Sequence, residues 1–221
     1  MSAPLPPHAV VFDNDGLLLD TEVAWTRAEV TLFARRDRTF TDAHKRDIIG
    51  SSRAVAAAKL ERMLELPGQG FALMDELHDL VMEEALAGCP PRPGAIELLD
   101  ALAAAGRPVA LASNSSREFV ERTLTVGGVR DRFEIVISAD DVEHPKPAPD
   151  LYLEACSRLG VDPARSLALE DSPPGVRSAY AAGLYVIGVP YLEGTPLPGA
   201  HLVVPSLSDA SVHAAVGLAA A

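Results

Sequence analysis

The segment Val10-Val11-Phe12-Asp13-Asn14-Asp15-Gly16-Leu17-Leu18-Leu19-Asp20 sets a short apolar run directly against two aspartates and a glycine. The run from Ala9 to Phe12 is too short for a helix and has no polar alternation, the pattern of a strand buried on both faces of a parallel sheet. In extended backbone, residues two apart project to the same side, so Asp13 and Asp15 converge on one spot before Gly16 lets the chain turn. In an open parallel sheet, ligands gather at the carboxyl edge of the strands, where these two aspartates would stand.

Working outward, similar runs recur at Pro108 to Ala112, Glu134 to Ile137, Ser166 to Leu169, Leu184 to Val189 and Leu202 to Val204. Helical patterns separate them at Gly94 to Ala105, Arg117 to Val126, Pro149 to Leu159 and Gly175 to Ala182, the last two followed by glycines suited to a left-handed C-cap. Strands alternating with helices through right-handed crossovers predict an α/β fold with a Rossmann-like open parallel sheet. Residues 21–90 interrupt the rhythm. They hold no strand but show helical spacing at Leu73, Leu77, Leu80 and Val81, with further apolar positions at Leu60, Met63 and Leu64, and they exit through the Pro-rich connector Gly88 to Gly94. The expected organisation is an α/β core of residues 1–20 and 91–221 with an inserted all-helical domain over 21–90.

Composition narrows the function. Of 221 residues, 31 are acidic and 19 basic, a formal net charge of −12, with 48% hydrophobic and 23% charged residues. This is globular composition. The acidic excess repels phosphate backbones, which argues against nucleic acid as a partner. An anionic substrate must therefore be attracted locally, by a metal or by placed cations. Cys89 and Cys156 form neither a disulfide framework nor a metal pair, so a reducing cytoplasm is expected. Residues 1–8 lack a secretory signal, and no apolar stretch approaches the ~20 residues of a membrane span, so a soluble protein off the membrane is expected.

Acidic residues also follow the strand candidate ending at Leu169, as Glu170-Asp171. Two acidic strand ends at one sheet edge would make a carboxylate pocket. With no His or Cys beside either, its hard oxygen ligands suit Mg²⁺ better than Zn²⁺. The other strand ends add Ser113-Asn114-Ser115-Ser116 at a helix start, where free N–H groups can hold an anion, and Lys146, fixed between prolines.

In this order, Asp13-x-Asp15-Gly16, Ser113-Asn114, Lys146-Pro147-x-Pro149-Asp150 and Glu170-Asp171-Ser172, with Gly175 and Ala181-Ala182-Gly183 following, resemble the haloacid dehalogenase superfamily of phosphohydrolases over essentially the whole chain. The helical insertion resembles the branch with a small cap that includes β-phosphoglucomutase and phosphoglycolate phosphatase. The resemblance implies that Asp13 is the nucleophile forming an aspartyl-phosphate and that Asp15 is the general acid and base. It implies a metal held by Asp13, the Asp15 carbonyl and Asp171 with Glu170 close by, phosphoryl oxygens held by Ser113 and the Asn114 amide, and Lys146 neutralising charge between phosphate and Asp13. To act as an acid, Asp15 must hold a proton at neutral pH. Gly50-Ser51-Ser52-Arg53 matches the cap's Gly-x-x-Arg element, so Arg53 would reach a phosphate or sugar group.

Dehalogenases of the superfamily typically lack the second aspartate, because a halide needs no protonation, so Asp15 points to phosphate esters. Trp25 stands where β-phosphoglucomutases carry a cap-hinge His, and no Lys lies between Phe71 and Leu86. A phosphatase acting on a small sugar, polyol or related metabolite phosphate is therefore expected ahead of a phosphomutase or an idle metabolite-binding module, as a monomer or weak homodimer. Trp25 is either cap core or a stacking wall for a sugar. Asn14 departs from the apolar residue usual there, and the six histidines form no ligand spacing.

Overall fold

The computed structural model describes residue 3 and residues 6–218; of the N-terminal stretch read above, Met1, Ser2, Pro4 and Leu5 lie outside the described residues. Six strands form one sheet: β1 (Val10–Phe12), β2 (Val109–Ala112), β3 (Ile135–Ile137), β4 (Leu167–Glu170), β5 (Tyr185–Gly188) and β6 (Leu202–Val203). Their order is β3-β2-β1-β4-β5-β6, and every neighbouring pair is parallel. This is the open α/β sheet expected. Strand β1 lies at the centre, and its flanking strands are reached by crossovers in opposite directions, so a crevice opens at its carboxyl end.

Apart from the edge strand β6, whose Val203 is exposed, the strands are buried on both faces, which explains their unbroken apolar sequence. Val10, Phe12, Leu111 and Leu169 point to one side, Val11, Ala110 and Ala168 to the other. The first face packs on α5 (Ala95–Ala104), α6 (Arg117–Val126) and α9 (Ala210–Ala215), the second on α7 (Asp150–Leu159) and α8 (Pro173–Ala181). Phe12 meets Phe133 edge to face, with ring centroids 5.9 Å apart. Helix α8 begins at Pro173, two residues before the expected Gly175, because the Ser172 hydroxyl caps it by accepting from Gly175 N and proline suits the first helical position. Helix α9 goes beyond the sequence reading: six residues are too few to display a period.

Between β1 and α5 the chain is all helical: α1 (Glu22–Ala34), α2 (Asp42–Ile48), α3 (Arg53–Leu64) and α4 (Gly70–Leu86). Leu73, Leu77, Leu80 and Val81 form the buried stripe of α4, in keeping with their spacing. The two connections to the sheet run side by side: Asp20 N donates to Pro90 O at 2.9 Å, Arg92 N donates to Leu18 O at 2.9 Å, and Leu19 and Pro91 form an antiparallel bridge. No helix among the described residues is long and apolar enough to cross a membrane.

Because Phe12 is fully buried against Phe133 at the sheet centre, Phe12→Ala is expected to lower the unfolding free energy by roughly 3–5 kcal/mol. Urea denaturation followed by circular dichroism would measure it.

Candidate active site

The sheet register fixes the site. Phe12 pairs with Leu111 on one side and Leu169 on the other, so the residues that follow, Asp13, Ser113 and Glu170-Asp171, emerge together at one edge. Asp13 N donates to Leu169 O at 3.0 Å and Ser113 N to Ile137 O at 2.9 Å, extending the ladder one step past the strands. Gly16, at φ +86°, turns the chain away beneath Asp171; a side chain there would place its Cβ 2.6 Å from Asp171 Oδ2.

Lys146 reaches across from the loop after β3. Its buried ammonium donates to Asp13 Oδ1 at 2.6 Å, Glu170 Oε1 at 2.6 Å and Ala112 O at 2.8 Å, and lies 5.0 Å from the centroid of the Tyr152 ring. Burial works against this ammonium, but the carboxylates of Asp13 and Glu170 outweigh it and hold its pKa above that of an ordinary lysine. Asn114 holds the lysine's backbone: its Oδ1 accepts from Lys146 N at 2.8 Å and its Nδ2 donates to Lys146 O at 3.2 Å. The Asn114 side chain thus brackets Lys146, 32 residues further along the chain.

The carboxylates of Asp13, Glu170 and Asp171 come together, each offering an oxygen within 4.8 Å of the others, and all three residues are buried. Burial, opposed by Lys146, pushes the Asp13 carboxyl well above the usual range; burial and the neighbouring Asp13 and Glu170 carboxylates do the same to Asp171. One ammonium for three carboxylates leaves an excess of negative charge in a poorly solvated place. An oxygen-rich, negatively charged pocket of this kind fits a hard divalent cation such as Mg²⁺. Glu170 is the most committed of the three. Its Oε1 accepts from Lys146 and from Tyr152 Oη, the latter at 2.6 Å, and its Oε2 accepts from Asp171 N at 3.1 Å, Ser172 N at 3.4 Å and Ser172 Oγ at 3.3 Å.

Asp15 faces away from that cluster into a shell of donors. Ser113 Oγ and Ser115 Oγ each donate to its Oδ2 at 2.9 Å, Thr21 Oγ1 donates to its Oδ1 at 2.9 Å, and Asn14 Nδ2 donates to Oδ1 at 3.3 Å. Three of these four are hydroxyls, which can turn and accept instead. The shell therefore accommodates either a carboxylate or a carboxylic acid without moving a heavy atom. Asn14 also donates to Thr123 Oγ1 at 3.3 Å, which gives its polar side chain a structural use.

Asp13, Asp15, Asn114, Lys146 and Asp171 line a cavity of about 340 Å³ roofed by the helical insert. Ser113 is fully buried, behind Ser115. Arg53, at the start of α3, lines the cavity while pairing with Asp75 of α4. Trp25 lines it too and packs on Phe119 with centroids 5.6 Å apart, so it joins the insert to the sheet-bearing part. Several contributors carried no sequence signal: Thr21 and Ser115 look like ordinary caps, Tyr152 sits mid-helix, and Glu22, Glu29 and Lys45 read as surface charges.

Residues 7–183 match the family described as haloacid dehalogenase-like hydrolase. The chain belongs to that family. It is 32% identical over 202 residues to hexitol phosphatase B of Escherichia coli K12, covering 87% of this chain and 88% of that one. It is 34% identical over 184 residues to a bifunctional riboflavin kinase/FMN phosphatase of Arabidopsis thaliana, covering 83% of this chain but spanning about half, 48%, of the relative. Among solved structures it resembles a single-residue mutant of CbbY from Rhodobacter sphaeroides in complex with xylulose-(1,5)bisphosphate, with 28% identity, a TM-score of 0.77, and 92% of this chain and 96% of that chain covered. Like its named haloacid dehalogenase-like relatives, this hydrolase is a phosphoric monoester hydrolase.

Within this haloacid dehalogenase-like site, Gly175 makes room for Glu170: a Cβ there would lie 1.9 Å from Glu170 Oε1. Gly175→Ala is expected to displace Glu170, and with it Lys146, costing about 2–4 kcal/mol of stability. Thermal unfolding alongside the rate of phosphate release would register both losses.

Proposed function

We propose that this protein is an Mg²⁺-dependent phosphatase that hydrolyses a small sugar, polyol or related metabolite phosphate through an aspartyl-phosphate on Asp13. The observation that carries the reading is the meeting of Asp13, Asp171 and Lys146 on the floor of one cavity that Asp15 also lines, with the fully buried Glu170 held against Lys146. Hexitol phosphatase B, a relative named for a polyol phosphate, supports the substrate class.

A carboxylate approaching a phosphate dianion is opposed by about 4 kcal/mol per pair of unit charges at ~4 Å and an effective dielectric of ~20. Mg²⁺, held by Asp13, Asp171 and the main-chain carbonyl of Asp15 with Glu170 close by, would draw charge from the phosphoryl oxygens. Lys146, already on Asp13 Oδ1, removes part of the repulsion and leaves the other carboxylate oxygen to attack. As the Asp13 oxygen bonds to phosphorus, the ester oxygen departs with its electron pair and takes a proton from Asp15. Asp15 then accepts a proton from water, whose oxygen attacks the same phosphorus, freeing inorganic phosphate and restoring the Asp13 carboxylate. The hydroxyls of Ser113, Ser115 and Thr21 reorient as Asp15 changes state. The Asn114 and Ser115 backbone, at the head of α6, is suited to the phosphoryl oxygens.

Residues 21–90 act in this reading as a cap over a core of 1–20 and 91–221, excluding bulk water while the aspartyl-phosphate stands. Both cysteines are buried free thiols, in keeping with a reducing cytoplasmic setting.

Asp13→Asn should reduce phosphate release on the order of 10⁴-fold or more, and Asp15→Asn by roughly 10²–10⁴-fold, each measured as free phosphate from a panel of sugar and polyol phosphates. Retention of full activity by Asp13→Asn, or conversion of substrate to an isomeric phosphate with little free phosphate, would overturn the proposal. Dialysis against a chelator should abolish turnover, and added Mg²⁺ should restore it; activity that persists through chelation contradicts the metal assignment.

A further inference from the structure

The roof of the cavity carries a second charged cluster that the chemistry above leaves unused. Glu22 and Glu29 lie seven residues apart on α1, two turns along one face, and Lys45 of α2 stands between them. Lys45 Nζ donates to Glu29 Oε2 at 3.0 Å and lies 2.5 Å from Glu22 Oε2, which accepts no well-directed hydrogen bond. The side chains of Lys45, Glu22 and Glu29 are 10%, 7% and 3% exposed, and all three residues line the same cavity as Asp13 and Asp15.

An ionised carboxylate has about four acceptor sites. Among the described residues, Lys45 is the single hydrogen-bonding or ion-pairing cation on either glutamate, so most of that acceptor capacity is unfilled. Burial accordingly pushes the Glu29 carboxyl up to about 7, with Lys45 opposing it. A buried ion pair is seldom needed for stability, since apolar residues of the same volume usually serve as well. A wall rich in acceptors calls for a ligand rich in donors, and where both glutamates are ionised, two carboxylates against one ammonium repel a ligand bearing a second anion.

We propose that Glu22, Glu29 and Lys45 form the specificity site for the leaving group, binding the hydroxyls of a neutral polyhydroxylated alcohol and rejecting phosphate esters that carry an additional carboxylate or phosphate. The inference rests on the phosphatase reading and narrows its substrate class. Glu22 and Glu29 accept from substrate hydroxyls; Lys45 keeps the two carboxylates apart and donates to a hydroxyl oxygen between them. Trp25, on the same helix and facing the cavity, supplies an apolar side to the site.

The test compares three substrates by kcat/KM with the full chain and Mg²⁺: a hexitol 6-phosphate, 6-phosphogluconate, which replaces its terminal CH₂OH by a carboxylate, and p-nitrophenyl phosphate, which has no hydroxyls. The wild-type enzyme should favour the hexitol phosphate over 6-phosphogluconate at least tenfold, a ratio that needs no variant. In Glu29→Gln, which keeps the volume and removes the charge, that ratio should narrow at least fivefold, and the ratio of hexitol phosphate to p-nitrophenyl phosphate should fall. Equal wild-type rates on the hexitol phosphate and 6-phosphogluconate would overturn the inference alone. So would a Glu29→Gln enzyme whose three rates scale together with a changed melting temperature, the behaviour of a purely structural ion pair. Failure to release phosphate from any of the three, p-nitrophenyl phosphate included, would overturn the phosphatase reading and this inference with it.

Discussion

The site depends on one buried ammonium. Lys146 holds Asp13 and Glu170 at 2.6 Å each and is itself held through its backbone by Asn114. Three buried carboxylates without it would repel one another at the sheet edge, with little water to screen them. The fold meets this constraint with elements far apart in sequence. Strand β1 brings Asp13, β4 brings Glu170 and Asp171, the loop after β3 brings Lys146, and the loop after β2 brings the amide that fixes the lysine. Tyr152 closes the arrangement from α7, its phenol kept protonated by burial and by the Glu170 carboxylate it bonds. Two neighbouring aspartates, Asp13 and Asp15, are thereby given different surroundings: one faces an ammonium and carboxylates, the other a ring of reversible hydroxyls.

Much of this was legible in the sequence because the relevant physics is local. Strands of a parallel sheet are short and apolar, so all six were visible, the exposed edge strand β6 included, and residues next to their carboxyl ends had to share an edge. Asp13, Asp15, Glu170 and Asp171 could be placed together on that ground, whereas Lys146, well past the end of β3, joins them only through the family resemblance. Legibility stopped where long-range geometry began. Nothing in Ser-Asn-Ser-Ser tells that the Asn114 side chain brackets a lysine 32 residues later, or that Ser113 and Ser115 both turn to Asp15. Helix α9 is too short to announce itself. Glu22, Glu29 and Lys45 read as ordinary solvated charges on helices, since burial by a neighbouring element leaves no mark on a residue's own periodicity.

The cavity joins two chemically distinct ends. Its floor holds carboxylates and one lysine around the point where phosphorus would sit, whereas its roof offers carboxylates with unfilled acceptor sites. A phosphate ester matches this polarity when its charge is confined to one end. The small volume, about 340 Å³, is at the lower limit of the ~300–1,000 Å³ usual for ligand pockets, which suits a single short metabolite.

The paired connections between the helical insert and the sheet have a mechanical consequence. Asp20 with Pro90 and Arg92 with Leu18 lace the outgoing and returning chains together, so the backbone connection to the insert is a two-ply strap, beside the packing of Trp25 on Phe119. Twisting about that strap leaves the lacing intact, while pulling the plies apart would break both bonds. Thr21, the first residue beyond it, touches Asp15, so a rotation of the helices is felt at once by the aspartate.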